Sequence, residues 1–181
     1  MSKKPRTTPD RDSKYMGLAW MYASFSKDPS TQVGAQIVGP NNMPLGSGYN
    51  GPPRRMIDTE VIWDRPTKAN PDAISKYDLI VHAEINAIDH CWGLDLEKST
   101  LYVTALPCSK CMLEIVKKGI ERVVYYDFKS HANSILQNPA WVEKTFDIAR
   151  RGNTKVEKFE GSVAWLEDWV ANLKHLGIFE M

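Results

Sequence analysis

TLYVTALPCSKCMLEIVKKGIERVVYY, residues 100–126, is the stretch whose reading decides the architecture. Thr100 to Thr104 reads as a strand, Cys108 to Lys118 as a helix stopped by Gly119, and Arg122 to Tyr126 as a buried strand. Strand, helix and strand in that order predict a right-handed parallel crossover, since parallel neighbours need a long connection.

Upstream, Asp78 to Cys91 reads as a helix through Leu79, Ala83, Ile85, Ala87 and Ile88. Gln32 to Val38 and Leu45 to Tyr49 flank the turn-rich Gly39-Pro40-Asn41-Asn42 and predict an antiparallel hairpin. An N-terminal helix is expected from a cap at Asp12 or Ser13, with apolar positions at Tyr15, Leu18, Ala19, Tyr22 and Phe25, until Asp28-Pro29 breaks it. Downstream come a turn-prone stretch around Asn138-Pro139, a weak strand near Val156 to Phe159 and a final helix. Leu166, Trp169, Val170, Leu173 and Leu176 give that helix an apolar face, expected to close the core, with another subunit as the alternative. Residues 1–10 read as a flexible arm and 11–181 as one domain. Residues 52–77, with Pro52, Pro53, Pro66 and Pro71, read as an irregular active-site or regulatory loop. Hairpin plus crossover make an α/β protein with a mixed sheet and helices on both faces.

The 181 residues are 43% hydrophobic and 25% charged, as in an ordinary folded domain. The formal net charge of +1 supplies no global field for a polyanion, so neither long nucleic acid nor an anionic membrane is the expected partner. Three cysteines do not make a disulfide framework, and MSKKPRTTPDRD has no apolar core resembling a secretory leader. The expectation is a soluble cytoplasmic protein, or one in the host cytoplasm if the source is a virus.

Two pieces carry chemistry: His82-Ala83-Glu84 and Pro107-Cys108-Ser109-Lys110-Cys111. Cysteines three apart at a helix start share a face, and the exposed N–H groups there favour thiolate. Alone, a C-x-x-C also describes a redox pair. With His82 as third ligand, the set is one donor short of a closed tetrahedral zinc site and leaves a position for water. Zinc-bound water falls from a pKa of about 15.7 to about 7. Glu84 is two residues from His82, about 200° around a helix, so it is expected beside the water rather than on the ion. There it would move a proton to a ring nitrogen and a leaving amine. The H-x-E and P-C-x-x-C pattern is that of zinc deaminases. His90, His131 and His175 read as ordinary residues, and Gly46-Ser47-Gly48 as strand and turn relief.

From about Tyr15 to Phe128 the chain resembles the deoxycytidylate (dCMP) deaminases of the cytidine deaminase superfamily. The resemblance rests on SKDPSTQVGAQIV (Ser26 to Val38), GSGYNG (Gly46 to Gly51), HAEINAI (His82 to Ile88) and LYVTALPCSKC (Leu101 to Cys111). It implies a three-layer α/β/α fold with a five-stranded mixed sheet, and hydrolysis of dCMP to dUMP and ammonia for thymidylate synthesis. It implies one catalytic Zn2+ on His82, Cys108 and Cys111, with Glu84 shuttling protons. Asn50, in the Gly-Tyr-Asn-Gly turn, would contact the nucleotide, and Ala83 and Ala105 would be further substrate positions; read from its turn alone, Asn50 is the left-handed residue of a tight turn, and the two roles are compatible. It also implies a homohexamer activated by dCTP and inhibited by dTTP, with Mg2+, for which Tyr49, Gly51, Arg54 and Arg55 are candidate regulatory contacts. Residues 52–77 depart from the family's course. With only Cys91 unspent, no Cys/His cluster offers a second zinc.

A monophosphate needs cationic or hydrogen-bonding groups. Lys27, just before the first strand, and Tyr126, at the end of the second parallel strand, are proposed because open α/β sheets place ligands at strand ends; Arg54 and Arg55 are alternatives. The competing functions are a tRNA adenosine or polynucleotide deaminase, a free cytidine deaminase, or a non-catalytic zinc-stabilised binding subunit.

Overall fold

The computed structural model describes residues 7–57, 61–65, 70, 72–126 and 138–175. One sheet runs through the chain: β1 (Gly34–Val38), β2 (Pro44–Tyr49), β3 (Thr100–Val103), β4 (Arg122–Tyr125) and β5 (Lys155–Lys158). Their spatial order is β2-β1-β3-β4-β5. β1 and β2 form the expected antiparallel hairpin, with a register shift between Ile37 and Val38. β1 also pairs antiparallel with β3, whereas β3 to β4 and β4 to β5 are parallel. The sheet is therefore mixed and five-stranded, as the resemblance implied.

Alternation along the strands divides the core into two layers. On one face, Ala35, Ile37, Leu101, Val103 and Val123 pack with residues of α3 (Ala83–Asp89), α4 (Ser109–Lys117) and α5 (Pro139–Arg151). On the other, Val38, Tyr102 and Val124 pack with Tyr15, Met16 and Ala19 of α1 (Arg11–Ala23). α4 fills the β3-to-β4 crossover, and Gly119 ends it at φ +73°, a conformation glycine adopts without penalty.

Gly46 and Gly48 do more than relieve a turn. A Cβ at Gly48 would lie 2.4 Å from the Ala87 nitrogen and 2.5 Å from the Ala83 oxygen. At Gly46 it would lie 2.3 Å from Cys91 Sγ. Bare backbone on β2 lets α3 settle directly on the strand.

Several expectations are corrected. The single helix expected over Asp78 to Cys91 is two pieces, α2 (Lys76–Leu79) and α3. Between them Val81 forms a backbone bridge with Gly51, which pulls the chain into an extended conformation. α1 is capped by Asp10, whose side chain accepts from the Ser13 N–H, rather than by Asp12 or Ser13. It ends at Ala23, before Asp28-Pro29, and Phe25 is 56% exposed. Asn138-Pro139 opens α5 instead of a turn: Asn138 caps it and proline supplies the first helical residue, where no N–H partner is lost. In α6 (Trp165–His175), Trp169 and Val170 are exposed; Trp165 docks instead, donating to the Ser13 carbonyl. The Leu173 side chain, Leu176, Phe128, His131, Pro66 and Pro71 lie outside the described residues. Among the described residues no helix is long and apolar enough to cross a membrane.

Candidate metal centre and active site

His82 and Cys108 both stand at helix N-caps, in extended backbone immediately before α3 and α4. Cys111 follows in the first turn of α4, on the side of Cys108. Two helix N-termini thus converge, and their unpaired N–H groups favour negative charge between them. His82 Nδ1 lies 3.3 Å from Cys111 Sγ and 3.6 Å from Cys108 Sγ. Zinc with bonds of about 2.3 Å to sulfur and about 2.05 Å to nitrogen has a tetrahedral N···S edge of about 3.6 Å. The three donor atoms, all within 4.8 Å of one another, therefore fit that ion, and among the described residues no other His, Cys, Asp or Glu joins the group.

The ionisable groups of the cluster shift one another. The Cys111 S–H, hydrogen-bonded to Cys108, together with His82, pulls Cys108 down to about 3. The same Cys108 contact, with burial, pushes Cys111 upward. His82 rises to about 9, chiefly through Cys108 and despite burial. A metal ion held by these three residues would have to displace protons from Cys111 and His82.

Glu84 is 4% exposed, and its carboxyl reaches Cys111. Burial raises its pKa, opposed by the charge of His82 beside it. Because His82 is a cap residue rather than a helical one, the expected 200° separation does not apply, and both side chains turn toward the sulfurs.

The remaining candidates are dispersed. Ala83, the first residue of α3, is fully buried in the core, and Ala105, 9% exposed, lies between β3 and the Pro107 turn. Asn50 is 6% exposed and does not adopt a left-handed backbone, so that expected role is corrected. Its Oδ1 accepts from the Val33 N–H at 2.7 Å, and its Nδ2 donates to the Thr31 carbonyl at 2.9 Å. These bonds explain the residue structurally: it ties the end of β2 to the entry of β1. Lys27 is exposed. Tyr126 lies just beyond β4, its ring packed edge-on against Trp20 and beside Phe159 in the α1 layer. Tyr49 meets Phe25 edge-on, and its carbonyl accepts from Asn86. Gly51 bridges Val81, and Arg55 is exposed. Arg54 Nη2 is 3.1 Å from His90 Nε2, while His90 Nδ1 is 2.6 Å from the Ser47 carbonyl, so His90 has a specific place after all.

Two contributors escaped sequence reasoning. Thr145 of α5 donates to the Pro107 carbonyl at 3.3 Å, bracing the turn into the cysteines. Lys76 and Asp28 form a buried ion pair at 2.7 Å. Neither residue has a local pattern that names a partner 38 or 48 positions away.

The sequence profile of the cytidine and deoxycytidylate deaminase zinc-binding region matches residues 9–127, which include the whole cluster. The chain belongs to this deaminase family. Among relatives of this deaminase-family chain, the deoxycytidylate deaminase of Homo sapiens is 38% identical over 117 residues, covering 65% of each protein. The chain thus spans just under two thirds of that relative's length. The deoxycytidylate deaminase of Mycobacterium phage D29 is 38% identical over 123 residues, covering 65% of this chain and 94% of the phage protein. A solved dCMP deaminase of cyanophage S-TIM5, in complex with dCMP and dUMP, superposes with a TM-score of 0.64. It covers 85% of this chain and all of that one at 22% identity, a likeness of fold.

Proposed function

We propose that this chain hydrolyses dCMP to dUMP and ammonia, with one zinc ion per subunit held by His82, Cys108 and Cys111. The observation that carries the reading is the gathering of these three donors within 4.8 Å, with the buried carboxyl of Glu84 at Cys111. Family membership and relatives named deoxycytidylate deaminases supply the substrate class.

Bound zinc supplies Lewis acidity that brings the pKa of a coordinated water to about 7. Glu84 takes a proton from the attacking water, delivers it to N3 of the cytosine ring, and moves the next to the amine at C4. The C4–N bond breaks, ammonia leaves, and the oxygen remains as the C4 carbonyl of dUMP. Burial suits Glu84 to this work, because it brings a carboxyl pKa toward the operating pH.

Asn50, Ala83 and Ala105 are proposed around the base, and Lys27 and Tyr126 at the phosphate. Support for the latter two is their order in the chain, Lys27 preceding β1 and Tyr126 directly following β4; a Lys27→Ala protein with unchanged KM for dCMP removes Lys27. Regulation by dCTP and dTTP with Mg2+ through Tyr49, Gly51, Arg54 and Arg55, and a homohexamer, belong to the same proposal and rest on the resemblance.

The test is ammonia release from dCMP, dCTP, CMP and deoxycytidine in parallel, with and without added dCTP or dTTP. Preferential conversion of dCMP is expected; preferential conversion of deoxycytidine or CMP overturns the substrate assignment.

A further inference from the structure

Asp28 and Lys76 are 3% and 5% exposed, and Lys76 Nζ donates to both carboxylate oxygens, at 3.0 and 2.7 Å. Taking two charges out of water is costly, and such a pair often contributes less stability than apolar residues of similar size. Its position suggests what it does instead. Asp28 Oδ1 accepts from the backbone N–H groups of Ser30 and Thr31, which fixes the loop after α1. Asn50 Nδ2 is 3.4 Å from Asp28 Oδ2 and is also held by Thr31. Lys76 opens α2, a helix of four residues, too short to hold itself. One residue past Asn50, Gly51 exchanges two backbone hydrogen bonds with Val81, at 3.1 and 2.9 Å. Val81 immediately precedes His82. Both sides of the bridge that delivers His82 to the sulfurs therefore lead back to one carboxylate.

We infer that the buried Asp28–Lys76 pair is a positioning device for His82, holding its Nδ1 where the two cysteine sulfurs can share a metal ion with it. The inference rests on reading the cluster as a zinc site, but not on which nucleotide is deaminated. The ion pair touches none of the three donors. It acts through α2 and the Gly51–Val81 bridge, as outer groups orient metal ligands elsewhere.

The test compares the wild-type protein with Lys76→Met and with the doubly neutral Asp28→Asn/Lys76→Met. The second leaves no unpaired buried charge and keeps the question open to test if the single variant does not fold. Zinc affinity is read by competition with a chromogenic chelator, and site geometry by the visible absorption of the cobalt(II)-substituted proteins. Zinc binding about 10- to 100-fold weaker, with an altered cobalt spectrum, is expected in the folded variants. Wild-type affinity and an unchanged cobalt spectrum in the double variant, whatever its melting temperature, overturn the inference. Neither readout involves turnover, so a wild-type protein that binds zinc but leaves dCMP intact defeats the proposed function alone.

Discussion

His82 Nδ1 stands 3.3 Å from Cys111 Sγ although 29 positions separate them in the chain. The contact exists because α3 and α4 begin side by side on one face of the sheet, each offering its N-terminus to the same point. Replacing Cys111 by Ser substitutes a hydroxyl that stays protonated and is a poor zinc ligand. The Cys111→Ser protein is expected to emerge from purification with well under one zinc per chain by elemental analysis. Stoichiometric zinc would exclude Cys111 as a ligand.

Glu84 is separable from the metal. Glu84→Gln keeps the shape of the side chain but cannot carry a proton, so kcat for dCMP should fall about a hundred- to ten-thousandfold. Zinc content should stay at one per chain. Near-normal turnover would remove Glu84 from the chemistry.

Gly48 has no room for a methyl group, because backbone atoms of α3 lie about where it would sit. Gly48→Ala should therefore lower stability by about 1–3 kcal/mol, the usual cost of overpacking, as read by urea unfolding. An unchanged midpoint would mean that α3 is free to lift off β2.

Asp12 bridges α1 to the sheet: Arg122 donates to its oxygens at 2.9 and 2.7 Å, and Tyr102 at 2.7 Å. Arg122 first, and Tyr102 after it, hold the Asp12 carboxyl below its ordinary 3.8. A depressed carboxylate pKa contributes stability that is complete above the unfolded value and disappears as pH falls through the folded one. Asp12→Asn should cost about 1–2 kcal/mol at pH 7, discounted for partial exposure. The gap between variant and wild type should narrow below about pH 4. A gap independent of pH would show that the ionised carboxylate is not what stabilises the contact.

The crossover was legible because its signals are local: the apolar Leu101-Tyr102-Val103 run, proline before Cys108, and Gly119 after α4. The proposed zinc ligands were legible because H-x-E and P-C-x-x-C are short local patterns, with the two cysteines three apart at a helix start. The helix break before His82 was not, since its cause is the Gly51–Val81 bridge, a contact across 30 positions that no periodicity records. α5 was readable in principle. Asn138 and Pro139 are a cap and a first-turn proline, followed by Trp141, Val142, Thr145, Phe146 and Ala149 at helical spacing. Turn residues and helix-start residues overlap, and only the pattern that follows separates them. Asn50 shows the converse limit, for the turn motif was visible but not that its amide is engaged by Thr31 and Val33.

Zinc K-edge X-ray absorption on the zinc-loaded protein tests the central claim most directly. Two sulfur neighbours at about 2.3 Å and two nitrogen or oxygen neighbours at about 2.0–2.1 Å are expected, one of the latter being His82 and the other solvent. A shell with one sulfur or none, or a second histidine closing the fourth position, would contradict the account.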